Sequence, residues 1–544
     1  MSKLNQHLSK HLRGDVLEKK SALEYFSTDG SIFTVTPRAI VYPKDVTDVR
    51  KIAKFSWQLA ERGKKLPITA RGRGTDQGGG ALGNGLMSVL PAYMNRLIDI
   101  DRETVTVEPG MLFGDLQRTL HSHGRFLPPY PSSMEFSTVG GAVANNACGE
   151  KTLKYGCTAD YIQELEVVLA DGQVIRTRPL SKRELNKKKG QTDMEGEVYR
   201  KIDGLLIDKA DVIEQAKPRV SKNAAGYALC DVRGADNTFD LSRLIAGSQG
   251  TLGTVTEITF KTEAYNPDTH LLAAFFDDME KAGQAVEALS KLNPSAMEVV
   301  DYHLLDFLKR NKPEKLQGVI ENEELPKLVF LIEFDDDKKG ARKRKSKKAQ
   351  KILKGLAAST RLRTDPQEQE ELWKIRRSAA AVIWQDEGKK KALPIIEDGV
   401  VPVGKLTEFL RRVYELFQKY DLDIAIWGHA GNGNFHMQPF LDLDDTKDRQ
   451  TVFKVMDDFY QMVIEMGGST CGEHNDGRLR APYLPDLYGQ EVYKVFQQVK
   501  DAFDPYRILN PDVKIDVSKD AARKQLRNRY AMEHLYDHMP QTHH

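Results

Sequence analysis

The sequence predicts an α+β protein made of two unlike parts, and three observations carry that reading. In the first half, short strand-like runs end repeatedly in glycine-rich loops. From about residue 266 strands alternate with amphipathic helices, the pattern of a mainly antiparallel sheet with helices on one side. Near residue 430 the apolar run Ile424-Ala-Ile426-Trp427 enters a Gly/Asn-rich turn that separates His429 from His436. The expected division is a helical segment over 1–32, a glycine-loop domain over 33–265, a cap over 266–465 with the histidine turn, a C-terminal segment over 466–516 and a tail over 517–544.

At 544 residues the chain can bury large cores. Its formal charge of +2 steers it toward no particular partner. The four cysteines, Cys148, Cys157, Cys230 and Cys471, form no C-x-x-C, which excludes a recognisable iron-sulfur or zinc-ribbon ligand set and suggests a reducing compartment. No apolar run approaches the roughly 18 residues of a membrane span, and the N-terminus has no signal-peptide core, so a cytoplasmic protein is expected. Leu4, Leu8, Leu12 and Val16 recur at helical spacing, a stripe suited to docking on its own domain or to peripheral contact with the inner face of a membrane.

Taken in order, 33–41 alternates like a strand and ends at Pro43; Asp45 then stands where a helix N-cap belongs. A short strand at 66–70 leads into Arg71, Gly72, Arg73, Gly74, Thr75, Asp76 and Gln77, followed by three glycines. Such a loop lets the backbone approach an anion and present a row of N–H donors, as a pyrophosphate requires. It is neither a Rossmann fingerprint, because Gln77 holds the third glycine position, nor a P-loop, because no Gly-Lys-Ser/Thr follows. A second glycine-rich segment contains Thr138, Gly140, Gly141, Asn145 and Gly149; after a strand over 165–170 and Lys222-Asn223, a third contains Gln249, Gly250, Gly253 and Val255.

In the cap, 271–276 and 328–334 read as strands, and the runs from Glu280 and Lys405 as helices. The basic stretch 338–354 and Lys389-Lys390-Lys391 lack interleaved aromatics, so a solvated face or loop is expected and no nucleic-acid partner. Arg376 and Arg377 fall on a helix, where a planar guanidinium suits either a surface salt bridge or a substrate carboxylate. His429 and His436 across a tight turn, with Glu473 and His474 further on, offer ligands for a divalent metal; an isolated histidine pair also occurs as a hydrogen-bonded core feature.

The order of the glycine-rich segments resembles the FAD-binding module of the p-cresol methylhydroxylase and vanillyl-alcohol oxidase type, over roughly 30–265. The histidine turn, Gly472-Glu473-His474 and Asn510-Pro511 extend the likeness to FAD-linked 2-hydroxyacid dehydrogenases acting on D-lactate, glycolate or D-2-hydroxyglutarate. It is similar to the flavin half of proteins that fuse this module to an iron-sulfur domain, whose cysteines this chain lacks. The resemblance implies a two-subdomain FAD-binding module with an antiparallel α+β cap.

It further implies residues 71–77 around the FAD pyrophosphate, with 138–149 and 249–255 along the rest of a non-covalent FAD and Asn510 nearby. His429, His436 and Glu473 would hold a divalent metal, zinc or manganese; His474 would be the base and Arg376 the carboxylate clamp. Chemistry agrees, since a 2-hydroxy acid chelates a metal through its hydroxyl and one carboxylate oxygen, which lowers the hydroxyl pKa. A base of near-neutral pKa then completes the oxidation to a 2-oxo acid. With no pyridine-nucleotide motif, the expected acceptor is a quinone, a cytochrome, an electron-transfer flavoprotein or a separate iron-sulfur subunit. The expected substrate is D-lactate. The alternatives are a flavin oxidase of another alcohol and a flavin-bearing electron-relay subunit.

Overall fold

The structure, a computed structural model, describes residues 2–311, 313–316, 320, 324–384 and 389–531, with the backbone alone at 315 and over 378–384. The end of the expected tail, with His543 and His544, lies outside the described residues.

The N-terminal helix Lys3–His11 is capped by Ser2 and stops at Leu12, so Val16 falls on the strand Asp15–Leu17, opposite Val41. Leu8 and Leu12 are buried with Val41, Val49 and Ile52. The stripe therefore docks on its own domain, and its apolar face is consumed there.

That small sheet runs in the order Asp15–Leu17, Ala39–Tyr42, Leu86–Val89, Ile68–Arg71, its last three strands parallel. The helix Val46–Glu61 covers it, with the Asp45 carboxylate accepting the Thr47 and Asp48 amides; such a cap contributes about 1 kcal/mol. A second, antiparallel sheet orders Leu97–Ile100, Thr104–Val107, Thr254–Lys261, Ile162–Val168, Val174–Thr177. The glycine-rich loops lie at the junction of these two sheets.

A seven-stranded antiparallel sheet follows, in the order Ser359–Arg363, His270–Phe276, Leu328–Phe334, Ala296–Asp301, Ile426–His429, Asn434–Met437, Gly399–Val400. The sequence reading put its helices on one side. They lie on both. Leu272, Ala274, Phe330 and Ile332 pack under the helices Met279–Ser290, Lys339–Leu353 and Leu406–Tyr420, while Leu271, Ala273, Val329 and Leu331 meet Leu304, Leu308, Leu372 and Trp373 from the helices Tyr302–Asn311 and Pro366–Trp384. The cause is in the runs themselves: 271–276 and 328–334 are apolar at nearly every position, so both faces need cover. The basic helix Lys339–Leu353 buries Arg342, Ser346, Ala349 and Leu353 and leaves most of its lysines in solvent, as expected of a solvated face.

Segment 150–155 ties the glycine-loop region to this sheet. Lys151 pairs with Glu333, Lys154 and Tyr155 with Asp335 at 2.6 and 2.8 Å, and Arg377 reaches back to Glu150. Cys148 and Cys157 close the base of the segment as a disulfide, Cα to Cα 4.7 Å. Their spacing did not signal that pairing, and it is the opposite of what a reducing compartment favours. Among the described residues no helix is long and apolar enough to cross a membrane.

Candidate active site

A cavity of about 570 Å³ opens between the glycine-rich loops and the seven-stranded sheet. Every residue singled out from the sequence for a site lines it except Asn510. One wall is built from 71–77, Thr138, Gly140, Gly141, Asn145, Gly149, Gln249, Gly250, Gly253 and Val255; the other carries Arg376, Trp427, His429, His436, Glu473 and His474.

The glycine-loop wall is assembled by mutual contact. Thr138 caps the helix Val139–Asn145 by accepting the Gly141 amide, and its hydroxyl presses on Gly72, where a Cβ would come within 2.4 Å. Asp76 accepts from the Gly78 and Gly80 amides and from Asn145 Nδ2, while Gln249 Nε2 donates to Asn145 Oδ1 and its Oε1 takes the Gly477 amide. Asn510 lies behind, donating to Gly80 O and Gln249 O. Arg71 is buried with its guanidinium spent on the Thr28 and Ala81 carbonyls, so it braces the loop. Arg73 Nε, Gln77 Oε1 and Ser137 Oγ are buried without a partner. Unsatisfied polar atoms on a cavity wall call for a polar ligand, and FAD fits a cavity lined by both loops.

Opposite, the turn does what its residues suggest. The strands Ile426–His429 and Asn434–Met437 pair in antiparallel register through a turn closed by Gly433 at φ +66°. His429 Nε2 and His436 Nε2 lie 3.2 and 3.1 Å from one oxygen, Glu473 Oε1. Each Nδ1 faces a carboxylate, Glu298 at 2.7 Å for His429 and Glu397 at 3.3 Å for His436. Outer carboxylates that orient imidazoles this way are the usual support of a histidine metal site, so the donor set fits a divalent ion. Glu397, His436 and His474 form a second group of suitable spacing. In that group Glu397 is already engaged by Arg480 and His474, and it does not line the cavity. The set with Glu473 is therefore the better candidate.

Residues 37–178 match the family model "FAD binding domain" and 266–513 match "FAD linked oxidases, C-terminal domain". Over 502 residues the chain is 30% identical to glycolate oxidase subunit GlcD of Bacillus subtilis, spanning 91% of this chain and 92% of that protein. The chain belongs to the FAD-linked oxidases of the p-cresol methylhydroxylase and vanillyl-alcohol oxidase superfamily. It is 28% identical over 486 residues to D-lactate dehydrogenase of Archaeoglobus fulgidus, covering 88% of this chain and 92% of that one. To D-2-hydroxyglutarate dehydrogenase of Escherichia coli it is 29% identical over 501 residues, 89% of this chain but 49% of that protein, so it spans about half the length of that relative. In fold it resembles 4-ethylphenol oxidase from Gulosibacter chungangensis, with TM-score 0.67, 15% identity and 96% and 99% of the two chains covered.

In this FAD-linked oxidase the site is densely charged. Burial pushes Glu473 up, but Lys222 and His429 outweigh it and hold the carboxyl well below its usual range. Burial likewise opposes charge on His474, yet Glu397, 2.6 Å from Nδ1, and Asp398 raise its pKa to about 9. The near-neutral value expected from sequence is thus corrected: without a bound cation, His474 carries its proton at neutral pH. Arg376 lines the cavity with its Nε held by Glu298 at 2.8 Å, whereas Arg377 is committed to Glu150. Arg376 remains the better carboxylate candidate, and Glu298 joins it to His429. Lys391 and Gln438 also line the cavity.

Sequence reasoning missed Glu298, Glu397, Asp398, Arg480 and Lys222. The available signal was charge inside apolar surroundings: Glu298 interrupts Ala296–Asp301, and Glu397-Asp398 follows Ile395-Ile396, positions where an acid persists only if paired. Asn475, next after His474, has its backbone at φ +65°, where asparagine is the residue best tolerated after glycine.

Proposed function

We propose that this protein oxidises a D-2-hydroxy acid to the 2-oxo acid, D-lactate favoured, with FAD and a divalent cation, zinc or manganese, and passes the electrons to an acceptor other than NAD. The observation that carries the reading is the convergence of His429, His436 and Glu473 on one wall of a cavity whose other wall is the FAD-linked loops, with His474 and Arg376 beside them. The names of its relatives, which include glycolate, D-lactate and D-2-hydroxyglutarate enzymes, support the substrate class.

When bound, FAD supplies a two-electron acceptor, and a cation held by His429, His436 and Glu473 supplies a Lewis acid. The chain does the rest. Arg376 grips the substrate carboxylate, with its own guanidinium steadied by Glu298. His474 takes the hydroxyl proton at Nε2, because Nδ1 is tied to Glu397. The proton that Glu397 otherwise keeps on His474 would be opposed by a cation held by His429, His436 and Glu473, so a loaded site and a free base belong together.

The test is anaerobic. D-lactate, L-lactate, glycolate and D-2-hydroxyglutarate are added separately to the yellow protein with and without chelator. Bleaching by D-lactate, abolished by chelator and restored by zinc or manganese, is the expected result. Flavin that no acid bleaches would refute it and favour the electron-relay alternative.

A further inference from the structure

One buried cation beside the site has no role in the chemistry described so far. Lys222 is fully buried, and its Nζ lies 2.5 Å from Glu473 Oε2. It belongs to segment 221–226, which precedes the cap in sequence yet docks along the residues that carry the proposed ligands. Ser221 Oγ donates to Asn432 O at 2.8 Å, the Ala224 amide to Cys471 O at 3.0 Å, and the Gly226 amide to Asp476 Oδ2 at 2.8 Å. With the backbone pinned on both sides, the ammonium position is fixed.

Glu473 is gripped from two directions. Its amide donates to Asp398 at 3.0 Å, and its far oxygen is taken by Lys222, which leaves Oε1 alone facing His429 and His436. A free carboxylate binds a divalent ion through one or both oxygens, whereas a catalytic site must keep a position open for substrate. A hydrogen-bonded carboxylate also donates less electron density, and a nearby ammonium repels the ion.

We infer that Lys222 is a positioning residue that restricts Glu473 to a single ligand oxygen, trading cation affinity for an open, electrophilic site. The inference rests on the metal assignment above.

The test uses the FAD-loaded, metal-stripped protein, with zinc and manganese affinity measured by calorimetry. Lys222→Met binds either ion at least about tenfold tighter, as expected when one charge near a buried divalent site is removed at an effective dielectric of about 20. Flavin reduction at saturating substrate slows while KM changes little, and Lys222→Arg restores both toward wild type. In a Glu473→Gln background the same change leaves metal affinity almost unmoved. Unchanged or weaker binding by Lys222→Met, with FAD retained, overturns the inference, because a merely structural ion pair predicts that result. Should Lys222→Met lose its FAD, X-ray absorption of the zinc-loaded wild type decides: one Glu473 oxygen on the ion supports the proposal and two overturn it. A wild type that takes up neither ion refutes the metal assignment itself, and this inference with it.

Discussion

Glu397 shows how one residue sets the character of a neighbourhood. It has no access to solvent, yet it accepts from His436, His474 and Arg480. Replacing it with glutamine keeps the shape and removes the charge; cation affinity is expected to fall roughly 10–100-fold, and Glu298→Gln, which releases His429, by a similar factor. Zinc content after dialysis checks both. His474→Ala is expected to retain FAD and cation but to lose about 10²-fold or more of the rate of flavin reduction, the usual worth of a positioned base; an undiminished rate in a stopped-flow trace refutes the role. In the metal-free protein the His474 ring is expected to titrate near pH 9 by NMR, and a midpoint in the ordinary histidine range would show that Glu397 does not govern it.

At the scale of elements, segment 150–155 is the tie between the glycine-loop region and the seven-stranded sheet. Burial alone would raise the Glu150 pKa, but the charge and hydrogen bonds of Arg377 hold it at about 2. A carboxyl depressed in the folded state contributes stability that is full above its ordinary value of 4.5 and is lost as pH falls toward 2. Acid is therefore expected to weaken this docking, and Arg377→Met to move the acid unfolding midpoint upward, as followed by flavin fluorescence across that window. Asn475 ties another pair of elements, donating from Nδ2 to Asn145 O and Gly247 O. Asn475→Ala keeps the left-handed backbone but loses those bonds, at a cost of about 2–4 kcal/mol from strain and unmet carbonyls together, seen as a lower thermal midpoint.

For the whole molecule, the cavity is where four stretches distant in sequence meet: the loop near 71–80, the loop near 138–150, the strand turn near 430, and the segment after Gly472. FAD bound across the first two is expected to raise the melting temperature with concentration, by the equivalent of about 2.7 kcal/mol at a hundredfold excess over Kd. A melting temperature indifferent to added FAD would mean that the cavity is not its site.

The division between what was legible and what was not follows from the range of the interactions. Local rules marked the Asp45 cap, the strands at 271–276 and 328–334, the glycine-rich loops and the His429–His436 turn, because each depends on neighbours within a few residues. Family likeness in motif order then singled out His474, Glu473 and Arg376. Pairing across hundreds of residues left no local trace. That is why Glu298 under His429 and Lys222 against Glu473 emerged only from the tertiary structure, while the Cys148–Cys157 bond, though it spans only nine residues in sequence, needed the turn of the chain that brings the two thiols together. A buried charge announces that it has a partner, but only the packed fold decides which one, since the low-dielectric interior rewards whichever opposite charge the topology brings within reach.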